Sequence, residues 1–209
     1  MKTITKITND LTDYFYDKSI NDHHLYALTV TYNTPNNSNS QLRFINKNFN
    51  NMYIWILKNS ICQRNFHKPE HHDKHPIVFT YPDVTGKSRN RINHSNQNLT
   101  FLSSVHHHSI MAVPDSINDK FKNIIDLESS EQNQGGNLQY SLKYKNRFVR
   151  STRIRPISRS RHLPLSDKDE INHQYNIKRW ICYSSEFYYN SRSTLIQDSV
   201  IYLPKSLKE

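Results

Sequence analysis

The segment Val105-His-His-His-Ser-Ile-Met-Ala-Val113 places three consecutive histidines inside an apolar, β-branched run that begins at Leu99. Such a run predicts a β-strand. Because side chains alternate between the two faces of a strand, His106 and His108 share one face and His107 lies on the other. Two imidazoles two residues apart on one face can bind one divalent metal ion. The alternative is an ordinary structural role in a chain that has 12 histidines.

Strands and helices are predicted on both sides of this segment. β-branched and aromatic runs predict further extended segments at residues 25–32, 77–81, 138–149, 150–157 and 199–203. Apolar residues at helical spacing without glycine or proline predict helices at residues 41–64, 115–127 and 166–189. Asp115 and Ser116 are expected to cap the second of these helices. This order of elements indicates an α+β fold.

The length of 209 residues suits one domain with a single core. Apolar residues make up only 35% of the chain, but 13 tyrosines and 9 phenylalanines supply large surfaces to bury. Glycine occurs only 3 times, which argues against long flexible linkers. We therefore expect one domain over residues 1–209, with its core at about 25–190 and an extension at each end.

Positive charge is in excess, and it is concentrated in one segment. Lysine and arginine outnumber aspartate and glutamate by 28 to 18, giving a formal net charge of +10 and favouring polyanion binding. Between Gln132 and Ser166 there is no acidic residue, and eight cations lie there: Lys143, Lys145, Arg147, Arg150, Arg153, Arg155, Arg159 and Arg161. The interleaved Tyr140, Tyr144 and Phe148 suit stacking with unpaired bases. A solvated charged face is the alternative, although mixed charges are the usual surface.

The two cysteines and the N-terminus indicate an intracellular protein. Cys62 and Cys182 lie in helical, apolar patterns and are expected to be buried free thiols, as in a reducing compartment. Residues 1–10 lack the apolar segment of a signal peptide, and no apolar run reaches the length of a membrane span. The expectation is a cytoplasmic protein that does not enter a membrane.

The order of the predicted elements resembles that of the HUH endonucleases, the family of rolling-circle replication initiators. Three segments carry the resemblance: Tyr26-Ala-Leu-Thr-Val-Thr-Tyr32, His106-His-His108 and Trp180-Ile-Cys-Tyr-Ser-Ser-Glu186. They correspond to an apolar strand with threonines, a His-hydrophobe-His motif whose middle residue is here polar, and a tyrosine motif. The resemblance spans about Leu25 to Tyr189. It implies a central antiparallel sheet of about five strands with helices packed on its faces.

The resemblance also implies a chemistry. Tyr183 would be the nucleophile, and His106 and His108 would hold Mn²⁺ or Mg²⁺. The substrate would be single-stranded DNA or a DNA hairpin at a plasmid or phage replication origin. Cleavage would leave a 5′-phosphotyrosyl link and a free 3′-hydroxyl, which a host polymerase extends behind a recruited host helicase. A relaxase or a single-strand transposase would use the same chemistry.

One position departs from the family pattern. Glu186 stands three residues after the motif tyrosine, where the family has a lysine. Glu186 could be a metal ligand, with Arg179 or Lys178 contacting the phosphate in place of the lysine. Alternatively, the site is degraded and the protein binds DNA without cutting it. A further alternative is that Tyr189, with Arg192 three residues later, is the working tyrosine.

A metal ion needs more ligands than two imidazoles. Asp83, just after the run 77–81, is a candidate because a neighbouring strand would bring it near the histidines. His94 is a second candidate, and Glu186 ranks with Asp83. A weaker functional alternative is a metal storage or sensing protein, which would bind zinc or nickel without preferring DNA.

Overall fold

The structure, a computed structural model, describes residues 2–33, 38–83, 106–127, 140–157, 167–190 and 200–202. The helices in these ranges are α1 (Lys2–Asn21), α2 (Ser38–Ser60), α3 (Asp115–Lys122) and α4 (Asp167–Asn190), with a 3₁₀ helix at Pro69–Lys74. The strands are β1 (His23–Tyr32), β2 (Ile77–Asp83), β3 (His106–Pro114), β4 (Ile125–Leu127), β5 (Tyr140–Leu142), β6 (Val149–Pro156) and β7 (Val200–Tyr202).

These strands form one antiparallel sheet in the order β4-β5-β6-β1-β3-β2-β7. The α+β class expected from the sequence is confirmed. The described residues form seven strands, where about five were expected. Three of the seven, β4, β5 and β7, are only 3 residues long. β1 and β3 are central and are buried along most of their length, which suits their apolar, β-branched sequences.

Helices cover both faces of the sheet. On the first face, Leu28 and Val30 of β1 form a core with apolar residues of α2 and α3, such as Phe49 and Phe121. On the second face, the alternate β1 residues, such as Ala27, pack with α1 and α4. Because β1 is apolar on both faces, it requires cover on both sides. We call these the α2/α3 face and the α1/α4 face.

Helix α1 belongs to the core, although the residues before about 25 were expected to form an extension. Phe15 is 1% exposed and packs in the same core as Ile110 of β3 and Ile177 of α4. Ser19 of α1 also contacts His173 of α4, with Oγ and Nε2 2.9 Å apart. The apolar stripe of α1 is narrow within a polar sequence, which is why its periodicity gave little signal.

Two expectations about α3 are corrected. The helix ends at Lys122 rather than near Leu127, because Ile125 pairs with Leu142 of β5 and begins β4. β-branched residues such as Ile125 favour strands over helices when a pairing partner is present. The predicted cap is also absent: Pro114 is the N-cap residue, no side chain caps the helix, and Asp115 is already in its first turn.

The two cysteines are less buried than expected. Cys62 and Cys182 are free, but neither is buried, since Cys62 is half-buried and Cys182 is exposed. Cys182 follows the buried Ile181, and successive helix residues are about 100° apart, which turns Cys182 away from the sheet. Within the described ranges, no helix combines the length and the hydropathy that a membrane span needs.

Candidate functional site

His106 and His108 lie close together on the α1/α4 face of the sheet. Their ring centroids are 4.4 Å apart and their ring planes are nearly perpendicular, at 85°. His108 is 7% exposed, whereas His106 is partly exposed. The Nδ1 atom of His108 lies 3.2 Å from Oγ1 of Thr29, the residue paired with it on β1. A contact of this kind fixes the orientation of an imidazole, as hydrogen bonds do for histidines that bind metals.

His107 faces the opposite way and has a structural role. It is 1% exposed, under Phe49 of α2. Its Nδ1 is 2.8 Å from the Tyr32 hydroxyl, and its Nε2 is 3.0 Å from Oδ1 of Asn46. Because that amide oxygen can only accept, Nε2 carries the proton and Nδ1 accepts from the tyrosine. Burial lowers the pKa of His107 to about 3, so the ring is neutral. His107 thus stands, as a neutral buried side chain, at the position where the His-hydrophobe-His motif has an apolar residue.

The strand register sets two rows of paired residues across this end of the sheet. The first row is Arg153, Thr29, His108 and Tyr81, and the second is Ser151, Thr31, His106 and Asp83. Directly paired residues of antiparallel strands lie on the same face, and neighbouring strands are about 4.8 Å apart. The register therefore brings Asp83, an expected ligand, to the position opposite His106. It also brings Arg153 into the row of His108.

Part of this face is open to solvent. Further along the strands, α1 and α4 bury the residues of the same face, such as Ala27 and Ile110. Towards the other end the burial decreases, and five residues with polar side chains are partly or fully exposed: Thr29, Thr31, His106, Ser151 and Arg153. We call these five residues the polar platform. It is a polar, accessible surface that begins at the histidine pair and extends over β1 to β6.

Helix α4 covers the same face as the histidine pair. It packs against β2 and β3, and its buried Ile177 and Ile181 belong to the core that contains Ile110. Tyr183 and Glu186 follow Ile181 on this helix, and Tyr189 lies next to its last residue. Their side chains, that of Asp83, and the residues His94 and Arg192 lie outside what the structure describes.

The residues present fit a divalent ion in part. The pair supplies two imidazole ligands from adjacent positions on one face, one of them oriented by Thr29. Among the side chains that the structure describes, no group of three or more His, Cys, Asp or Glu could hold a metal. The other expected ligands, Asp83, Glu186 and His94, have side chains outside the described part of the structure, and water is a further source of ligands.

The expected basic surface is divided between different parts of the molecule. Lys143, at the β4 side, forms an ion pair with Asp126 at 3.4 Å and donates to the Asn123 carbonyl. The Arg147 guanidinium lies over the Phe148 ring, 4.5 Å from its centroid. Four further cations of the segment are exposed: Lys145, Arg150, Arg153 and Arg155. Arg159 and Arg161 lie outside the described residues.

The three aromatic residues of this segment pack against the protein rather than forming an open stacking surface. Tyr144 lies 5.4 Å from Trp55 of α2 between ring centroids, and Phe148 lies 5.0 Å from Phe44 of the same helix. Tyr140 is half-buried against the same core. Aromatic core packing accounts for the positions of all three.

Two cations of α4, Lys178 and Arg179, are exposed. Arg179 points away from the buried Ile177 and Ile181, because successive helix residues are about 100° apart. Arg179 therefore does not lie between the helix and the sheet.

Comparison of the chain with protein-family models, curated proteins and solved structures finds no match. The function therefore has to be argued from the site itself.

Proposed function

We propose that this protein is an HUH-type replication initiator, which nicks single-stranded DNA through a tyrosine nucleophile assisted by a divalent metal ion. The observation that carries the proposal is the His106–His108 pair. Its rings are 4.4 Å apart on the sheet face against which α4, the helix of Tyr183, packs. An incidental pair of histidines would not need to share a face with the tyrosine helix.

The pair is suited to hold Mn²⁺ or Mg²⁺. The Thr29 contact engages Nδ1 of His108, so Nε2 is the nitrogen that would bind the metal. The pairing of Asp83 with His106 supports Asp83 as an oxygen ligand, and Glu186 is the second candidate. A bound divalent ion would polarise the scissile phosphate and offset the charge that develops there.

The covalent step is a phosphoryl transfer. The hydroxyl oxygen of Tyr183 attacks phosphorus, and the bond between phosphorus and the 3′-oxygen breaks. The tyrosine proton is lost to solvent, and the leaving 3′-oxygen takes up a proton. One phosphodiester replaces another, so no external energy source is needed, and the 3′-hydroxyl can be extended by a polymerase.

The net charge of +10 and the polar platform support single-stranded DNA, or a hairpin at a replication origin, as the substrate. A host helicase and a host polymerase are the proposed partners. A cytoplasmic location is part of the same proposal.

A second candidate function is a DNA-binding replication or copy-control protein that does not cut. Glu186 favours it, because an anion replaces the expected lysine. This protein would bind DNA in the presence of a chelator and after Tyr183→Phe.

The test is a denaturing gel of the protein incubated with Mn²⁺ and labelled single-stranded oligonucleotides that tile its own replicon. A labelled band of protein size is expected for the unchanged chain. Tyr183→Phe and His108→Ala should each lower it by about 100-fold or more, since each removes a group that acts in the transition state. Tyr175→Phe, at a 63% exposed position of the same helix, and His72→Ala are the matched controls and should keep the band.

If the label stays free while a native gel still shows binding, the nicking proposal is wrong and the binding protein is correct. If Tyr183→Phe keeps the covalent band and Tyr189→Phe loses it, Tyr189 is the nucleophile. If the band resists chelation by EDTA, the metal is not required.

A further inference from the structure

We propose that Arg153 of β6 binds the scissile phosphate beside the His106–His108 pair, in place of the lysine for which Glu186 stands. This inference rests on the proposed function, since it names the cation of the same site. It replaces the expectation that a cation on α4, Arg179, makes this contact.

The strand register places Arg153 near the histidine pair. Arg153 is paired with Thr29, and Thr29 is paired with His108 and contacts its Nδ1. Arg153 therefore lies in the row of His108, two strands away. At about 4.8 Å per strand, the two backbones are about 10 Å apart. A long arginine side chain and a phosphate group fill a gap of that size.

Among the described residues, the side chains around this gap are short. Arg153 is exposed, Ser151 lies beside it on β6, and Thr29 and Thr31 of β1 lie between β6 and the histidines. All three of these neighbours carry hydroxyl groups. A phosphate bound here would meet a guanidinium on one side, hydroxyl donors below it and the histidine pair on the other side.

The other described cations of β6 are placed less well. Arg155 is paired with Ala27, which lies under α1 and further along the strand from the histidines. Arg150 lies where the pairing of β1 with β6 shifts, between the partners of Thr31 and Tyr32. Arg153 is thus the cation of this strand that shares a row with the pair.

Arginine suits the task chemically. Its planar guanidinium carries five donors in a fixed geometry and binds phosphate oxygens in bidentate fashion. A single lysine on the helix would offer one point charge. A strand residue also holds its position more rigidly than a loop residue, which favours the phosphate contact.

The experiment measures whether metal and phosphate are bound cooperatively, and it does not need cleavage. In a Tyr183→Phe background, which cannot form the adduct, the dissociation constant of a labelled single-stranded oligonucleotide is measured with Mn²⁺ and with EDTA. Mn²⁺ should tighten binding by about 5-fold or more, a typical coupling between adjacent sites. Arg153→Ala should abolish this tightening, and Arg153→Lys should keep part of it.

Arg43→Ala is the matched control, because Arg43 is an exposed arginine of α2, on the opposite face of the sheet. It removes the same charge and should keep the tightening by Mn²⁺. Both alanine variants should keep the melting temperature of the parent, since exposed substitutions change stability little. In the chain with Tyr183, Arg153→Ala should also slow adduct formation by about 100-fold.

The possible outcomes separate the two proposals. If the chain forms the adduct and Arg153→Ala nicks at the parent rate with coupling intact, the role of Arg153 is wrong and nicking stands. If no adduct forms but Mn²⁺ tightens binding only when Arg153 is present, the phosphate site stands and nicking is wrong. If Mn²⁺ has no effect on binding by any variant and no adduct forms, both proposals are wrong.

Discussion

Three adjacent histidines have two different environments in this protein. His106 and His108 lie on the α1/α4 face, where His106 is partly exposed and His108 is buried beside Thr29, whereas His107 is enclosed by Tyr32 and Asn46. The difference arises because a strand alternates its side chains, and because one face at this point is fully covered by α2. The neutral His107 uses both ring nitrogens, which makes a buried polar residue compatible with the core.

At the residue scale, His107→Ala is expected to lower the free energy of unfolding by about 2–4 kcal/mol at pH 7.5. The change leaves a cavity and removes a partner from the buried Tyr32 hydroxyl. Urea denaturation checks this value. His106→Ala, at the partly exposed neighbouring position, should cost about 1 kcal/mol or less. Equal losses for the two variants would contradict the structural role assigned to His107.

At the element scale, α1 contributes more than its polar sequence suggests. It covers the α1/α4 face through Phe15 and contacts α4 through two side-chain pairs, Ser19 with His173 and Tyr16 with Glu170. Because α4 also carries the tyrosine motif, α1 supports the helix on which the proposed chemistry depends.

Phe15→Ala is therefore expected to lower the free energy of unfolding by about 3–5 kcal/mol, the usual cost of truncating a fully buried phenylalanine. Guanidinium denaturation followed by tryptophan fluorescence would measure it. Ile20→Ala on the same helix is the control, because Ile20 is 39% exposed and should cost less than about 1 kcal/mol. A loss below 1 kcal/mol for Phe15→Ala would show that α1 is dispensable for stability.

The ends of the elements show where sequence patterns are least reliable. The apolar spacing after Asp115 fits a helix as far as Leu127, but Ile125 pairs with β5 and forms a strand instead. Similarly, the segment before Val149 alternates partly, but its strand ends at Leu142 and a turn around Asn146 follows, with the Phe148 N–H donating to Oδ1 of Asn146. In the first place a strand partner distant from the helix pattern decides the conformation, and in the second a local hydrogen bond from the side chain of Asn146 does.

At the scale of the whole molecule, three buried histidines make the fold sensitive to acid. Burial lowers the pKa of His23, His75 and His107, and that of His107 falls to about 3. In the unfolded chain the pKa of each histidine is near 6.5. Between this value and the lower pKa of the folded protein, the unfolded chain therefore binds more protons than the folded protein. The contribution of these neutral histidines to the free energy of unfolding is therefore complete above pH 6.5 and is lost as the pH falls towards 3.

The free energy of unfolding is expected to fall between pH 6.5 and 5, a window above the titration of most carboxylates. His107 alone contributes a slope of about 1.4 kcal/mol per pH unit once the unfolded chain is protonated. Urea denaturation at a series of pH values gives this slope. His107→Gln, which cannot titrate, should reduce the slope by the contribution of one proton, about 1.4 kcal/mol per pH unit. A free energy of unfolding that stays constant from pH 6.5 to 5 would contradict the burial of these histidines.

The sequence alone determined the central elements and the positions of the histidines on the two faces of their strand. The strand with the three histidines, β1 and α4 could be predicted because each has a long run of residues whose apolar spacing fits a single type of element. The alternation of side chains along a strand then fixed which histidines share a face. Only the tertiary structure decided which face is covered and which is open. It also brought Arg153 and Thr29 into the row of His108, and it packed the partly buried Tyr144 and Phe148 against aromatic residues of α2. The physical reason is that register and burial depend on contacts between segments distant in sequence, and a one-residue shift of register moves every side chain to the other face.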